Sequence, residues 1–102
     1  MYIYNITFNV ENEIELEWLN YAKNIFIPKV LESKYIQSAL TSKIISKELE
    51  GISYSIQFTS KNKSKLEFFI QSEFQPTLNG IYQKFHPKML FFATELDVID
   101  QQ

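Results

Sequence analysis

The chain has no cysteine, which rules out disulfides and thiolate chemistry. With a single histidine, His86, any metal would have to be held largely by oxygen ligands. There are only two glycines, Gly51 and Gly80, and no glycine-rich loop that could bring backbone amides to a phosphate. No Ser/His/Asp set and no CxxC pair occurs, so no catalytic residue, metal ligand or cofactor is expected. No apolar run approaches the ~18–20 residues of a membrane span, and no basic-then-apolar leader precedes the first ordered stretch. The expectation is a cytoplasmic protein without a membrane partner. A net charge of −2 argues against nucleic acid as well.

Apolar side chains make up 45% of the 102 residues and aromatic rings 16%, with nine Phe and six Tyr. That is the content of a folded chain, read as a single α+β domain over 1–102 with one core. Its organising stretch is Met1–Val10. Tyr2, Tyr4, Ile6, Phe8 and Val10 alternate with Ile3, Asn5, Thr7 and Asn9, giving a strand with one dry and one polar face, paired on both sides.

A helix follows from Asn12, where Asn12 and Glu15 offer a capping box. Its core stripe is Ile14, Trp18, Tyr21, Ala22 and Ile25, widened by Leu19 and Phe26, with a kink at Pro28 and an end near Leu31. Tyr35–Lys47 reads as an edge strand with a bulge, and Glu48–Gly51 as a turn. The third strand alternates cleanly, Ile52, Tyr54, Ile56 and Phe58 against Ser53, Ser55, Gln57 and Thr59. A second helix, capped by Ser64 with Glu67, runs as Lys65–Phe74 and Thr77–Phe85 with a bend at Pro76. His86-Pro87 closes it, and Lys88–Val98 is the last strand before a frayed tail.

This order is β-α-β-β-α-β, the split arrangement of a ferredoxin-like fold. Right-handed crossovers place strands 1 and 3 in the centre and both helices on one face of a four-stranded antiparallel sheet. The helices must meet the Tyr/Ile/Phe faces. Asn5, Thr7, Asn9, Ser53, Ser55 and Gln57 then occupy the other face, polar but uncharged. A solvated face usually carries Lys and Glu, so this one suits a second copy or a ligand.

The opening MYIYNITFNVENEIELEWL, the segment IPKVL, the Gly-x-x-Tyr-Ser-x-Gln-Phe of Gly51–Phe58 and the Pro-x-Leu of Pro76–Leu78 resemble a bacterial family known only as a domain of unknown function. That family in turn resembles the dimeric α+β-barrel superfamily, in which two ferredoxin-like sheets pack face to face. The resemblance implies a homodimer and no particular chemistry. In the family a His commonly stands at the position of Phe26 and an Arg at that of Ala93, so a polar site served by those residues is altered here.

The remaining candidates have plain explanations. His86 suits a cap at a helix C-terminus, Glu95 and Asp97 a charged edge strand, and Lys61, Lys63 and Lys65 a solvated loop. Glu11, Glu13, Glu15 and Glu17 suit the positive end of a helix dipole. Base stacking on Tyr2, Tyr4, Tyr54 and Phe58, as in RNA-recognition domains, conflicts with the need to bury those rings under the helices. The reading is a non-catalytic homodimer that binds a small ligand or protein partner. Its ligand-binding residues would be Asn5, Asn9, Ser53, Ser55 and Gln57, with strand 2 (Leu40, Ile44) or a partner subunit closing the walls. The alternative is a cofactor-independent, monooxygenase-like enzyme acting on an aromatic or polyketide-like substrate.

Overall fold

Strand β1 (Tyr2–Val10) sits inside the sheet, hydrogen-bonded on one side to β3 (Ile52–Ser60) and on the other to β4 (Met89–Asp97). Strand β2 (Ser38–Lys43) completes the antiparallel order β2-β3-β1-β4. The computed structural model describes residues 1–46 and 51–102. The expected strand order and antiparallel pairing are present.

Two parts of strand 2 differ from expectation. It spans six residues, because Tyr35 and Ile36 turn into the core rather than joining the ladder. Its register with β3 runs unbroken from Ser38↔Thr59 to Lys43↔Tyr54, so the expected bulge is absent between those residues. Lys47 and the turn at Glu48–Glu50 lie outside the described residues. Gly51, which ends that turn, has φ +73°, and a Cβ there would stand 3.0 Å from the Val10 carbonyl oxygen. Only glycine fits both the backbone and the space.

The first helical rod is built in four pieces: a 3-10 turn (Asn12–Ile14), α1 (Glu15–Tyr21), a π turn (Ala22–Phe26) and α2 (Ile27–Glu32). Trp18, Ala22, Phe26 and Val30 are its buried residues, spaced by four. In a plain α-helix each step of four overshoots a full turn by roughly 40°, so the last of these would swing away from the sheet. The wider π turn, in which the Ile27 amide donates to the Ala22 carbonyl, absorbs that drift. It also opens the helix just ahead of Pro28, whose missing N–H and bulky ring would disrupt a regular turn. The expected break is thus a widening, and Ile25, placed on the core stripe by an even 3.6-residue period, is exposed.

Neither expected capping box forms. No side chain caps the start at Glu11–Asn12. The second helix starts two residues early, with the Asn62 side chain accepting from the Lys65 amide at 3.0 Å, so Asn62 takes the role expected of Ser64. It runs as α3 (Lys63–Gln71) and α4 (Phe74–Phe85). The break falls at Ser72–Glu73, which puts Pro76 in the first turn of α4, where its missing N–H costs nothing.

Both helical layers cover the Tyr4, Ile6, Phe8, Tyr54, Ile56 and Phe58 side of the sheet. Trp18, Phe8, Phe26, Phe58, Phe69 and Phe74 are all fully buried there. Phe26 meets Phe8, Phe58 and Phe74 with ring centroids 6.0–6.1 Å apart. Such pairs each add ~0.5–1.5 kcal/mol beyond their buried area.

Candidate functional site

Pairing register defines the helix-free face row by row. Leu40, Gln57, Asn5 and Thr94 form one row, and Ser42, Ser55, Thr7 and Phe92 the next. Asn9 lies between Ser53 and Leu90, and Ile3 between Thr59 and Leu96. No residue in these rows is charged. Asn5, Asn9, Ser53, Ser55 and Gln57 are therefore brought together in the two central columns, as the alternation of strands 1 and 3 required.

These side chains bond mainly among themselves. The Ser55 hydroxyl donates to Asn5 Oδ1 at 2.6 Å, and the Asn5 amide donates to Thr7 Oγ1 at 3.3 Å. Asn9 Nδ2 donates to the Ser53 hydroxyl at 3.1 Å. The floor is thus a pre-satisfied network of neutral dipoles with short side chains.

The rims are different. Leu40 (61% exposed) and Ile44 stand along the β2 side, and Leu90 (67%), Phe92 (63%) and Leu96 along the β4 side. Sequence reasoning placed Leu40 and Ile44 here but missed the β4 rim. In MLFF apolar side chains point to both faces, so periodicity did not reveal which rings would stay uncovered.

On the helix side, polar contacts reach from the first rod into the sheet: the Trp18 indole N–H donates to the Met89 sulfur at 3.2 Å, and Glu15 bonds two sheet residues. Tyr54, stacked on Trp18 with centroids 5.0 Å apart, donates its hydroxyl to Glu15 Oε2 at 2.6 Å. Lys43 binds the same oxygen at 3.1 Å. The Tyr54 hydroxyl and then Lys43 hold the Glu15 carboxyl below its ordinary range. Burial, then Glu15, pushes the Tyr54 phenol up to about 12. Glu13 pairs with Lys88 at 2.8 Å and Glu17 with Lys84 at 3.5 Å. The acidic helix start is therefore tied down by lysines from β2, α4 and the connection before β4, in addition to any dipole effect.

The other candidates are dispersed. His86 packs on Tyr82 (4.8 Å between centroids) beyond the end of α4. Lys63 pairs with Glu67 at 4.0 Å in the first turn of α3. Tyr4, Tyr54 and Phe58 are buried, so they offer no base-stacking platform. Phe26 lies in the aromatic core, and Ala93 is exposed on β4. No group of three His, Cys, Asp or Glu residues among the described residues is placed to hold a metal. None of their helices is long and apolar enough to cross a membrane.

Comparison with solved structures gives the same fold throughout at low sequence identity. An ethyl tert-butyl ether d (ethd) family protein from Bacillus halodurans C-125 superposes with a TM-score of 0.72 at 12% identity, over 97% of this chain and 100% of that one. A dimeric ferredoxin-like protein of unknown function from Jannaschia sp. CCS1 gives 0.66 at 15% identity, over 96% and 100%. An antibiotic biosynthesis monooxygenase gives 0.61 at 9% identity, over 98% and 100%. These likenesses establish a ferredoxin-like α+β fold and carry no activity with them. Nothing among curated proteins matches the sequence. Residues 1–99 match the family model of a domain of unknown function (DUF4286), and the chain belongs to that family.

Proposed function

We propose that this chain is a non-catalytic binding domain that works as a homodimer, two copies meeting through their helix-free sheet faces. The observation that carries the reading is the pattern of that face. Large apolar side chains stand exposed along both rims, and the rows between them hold no charge. Removing a charged face from water would cost several kcal/mol per unpaired ion, whereas this face escapes that cost. Rim against rim, the exposed Leu, Ile and Phe side chains leave water, at about 25 cal/mol per Å2 of apolar surface. The dimeric ferredoxin-like protein from Jannaschia supports the assembly by analogy.

In this reading Asn5, Asn9, Ser53, Ser55 and Gln57 supply hydrogen bonds at the centre of the assembly, either to the second copy or to a small uncharged molecule held there. The cytoplasmic location expected from the sequence belongs to the same proposal. The enzyme alternative needs an apolar cavity for an aromatic substrate. Beneath the helices that space is filled by Trp18, Phe8, Phe26, Phe58, Phe69 and Phe74, which weighs against it.

Light scattering over a concentration series tests the assembly. A mass near twice the 12.1 kDa chain is expected, and a monomer at high concentration overturns the reading.

A further inference from the structure

The two strands at the margins of the sheet, β2 and β4, differ in how well their outer edges are protected. Strand β2 spans six residues and ends on Lys43, and a short strand bearing a lysine is a poor template for a further one. Strand β4 runs for nine residues with no proline, lysine or glycine, and its register with β1 has no bulge. On its helix side Met89 is buried and Phe91 half-buried, but Ala93, Glu95 and Asp97 are exposed, so the helical layer stops short of this edge.

Hydrogen bonds at the two ends of β4 show which of its backbone groups are spare. The Lys88 carbonyl accepts from the Glu11 amide at 3.0 Å, and the Val98 amide donates to the Met1 carbonyl at 3.0 Å. Both residues turn toward β1, and the register between them is unbroken. Alternation then turns the backbone of Leu90, Phe92, Thr94 and Leu96 toward β1. The N–H and C=O groups of Met89, Phe91, Ala93, Glu95 and Asp97 face outward.

We propose that this edge pairs with the β4 edge of a second copy, antiparallel about a two-fold axis at Ala93. In that register Met89 meets the partner's Asp97, Phe91 the partner's Glu95 and Ala93 the partner's Ala93. Every outward residue then exchanges two hydrogen bonds with its opposite. A slide of two residues either way leaves one of these pairs unmade, and no carboxylate stands opposite another. On the open face Leu90 meets the partner's Leu96, and Phe92 the partner's Thr94. Leu90, Phe92 and Leu96 are exposed in the single chain, and cross-strand pairing shields them. One strand edge is a smaller contact than a whole sheet face, so edge pairing is the weaker association. It does not rest on the face-to-face reading, and it joins face-to-face dimers in pairs at higher concentration.

The chain has no cysteine, so a single introduced thiol reports on this contact alone. At the two-fold axis the two position-93 Cα atoms stand ~5.5 Å apart, within disulfide reach. Position 95 faces Phe91, which leaves its two copies ~14 Å apart. Under copper-phenanthroline oxidation, Ala93→Cys is expected to give a disulfide-linked pair about tenfold faster than Glu95→Cys, read on non-reducing gels. Face-to-face contact alone gives no such preference, because both side chains point away from the open face. Equal rates, or no linked product from Ala93→Cys, overturn the proposal. Ala93→Pro removes an outward N–H and no bond to β1, so it should keep its circular dichroism and lose association beyond the dimer. A folded Ala93→Pro protein that associates like its parent also overturns it. The preference for position 93 is expected whether or not the open faces pair, so the failure of either reading leaves the other standing.

Discussion

The two faces of this sheet come from the same alternating strands, yet they are built on opposite rules. Under the helices, large rings interlock, the Trp18 indole donates to the Met89 sulfur, and Glu15 bonds Tyr54 and Lys43 of the sheet. On the open side the centre is short, neutral and mutually hydrogen-bonded, and the large side chains are pushed to the rims. The first face is complete by itself. The second carries none of the Lys and Glu that the helices show to solvent. A dry face is finished by size, an open one by the absence of charge.

Substitutions probe this contrast in order of effect. Phe26→Ala empties the meeting point of Phe8, Phe58 and Phe74 and should destabilise the monomer by about 3–5 kcal/mol, read by chemical denaturation. An equal loss from Phe92→Ala on the open rim would erase the distinction between the faces.

Thr7→Lys puts a charge in the middle of the neutral rows. It should weaken self-association by about 3 kcal/mol or more, because the ammonium is buried unpaired, while the isolated monomer stays folded. Light scattering together with circular dichroism separates the two effects. A Thr7→Lys protein that associates like its parent would mean the open face is merely solvated.

Tyr54→Phe removes one of the polar ties between the first rod and the sheet, the bond to Glu15. Glu15 is held below its ordinary 4.5, so its contribution is full above that value and is lost as pH falls through the lower, folded one. Tyr54 is raised from 10.0 to about 12, so its contribution is full below pH 10 and is lost as pH climbs toward 12. Thermal unfolding of the parent should decline at both ends. The Phe variant should lose the alkaline decline of this pair and most of its acid decline, Lys43 retaining a part. Identical pH profiles would show that the 2.6 Å bond contributes nothing measurable.

The smallest effect concerns Lys34, which follows α2 at φ +66°. Lys34→Gly should raise stability by a few tenths to about 1 kcal/mol, since glycine takes that backbone without a Cβ penalty.

Sequence reasoning succeeded where one period governs a whole element. Strands 1 and 3 alternate cleanly, Ile3 aside, so the buried rings and the neutral floor of Asn5, Asn9, Ser53, Ser55 and Gln57 follow from the sequence. It faltered where two patterns overlap. MLFF in β4 serves both faces, and its outward members form the rim that only coordinates reveal. Caps were misplaced because Asn62 and Ser64 are both good capping residues, and a two-residue shift is settled by how Leu66 and Phe69 reach the core. The phase of the first rod was lost after Ala22, where a four-residue spacing replaces the 3.6-residue period.

That spacing has a consequence for how this helix can vary in length. A π turn amounts to one residue more than a regular helix needs, so removing one residue from Ala22–Ile25 would let ordinary α hydrogen bonds run through with both ends of the rod in place. Pro28 stands against this: in the shortened rod its ring would press on the carbonyl four residues earlier. The deletion is therefore tolerable only together with a replacement such as Pro28→Ala. Chain length and the identity of a single residue are coupled here, and a relative lacking either one should lack both.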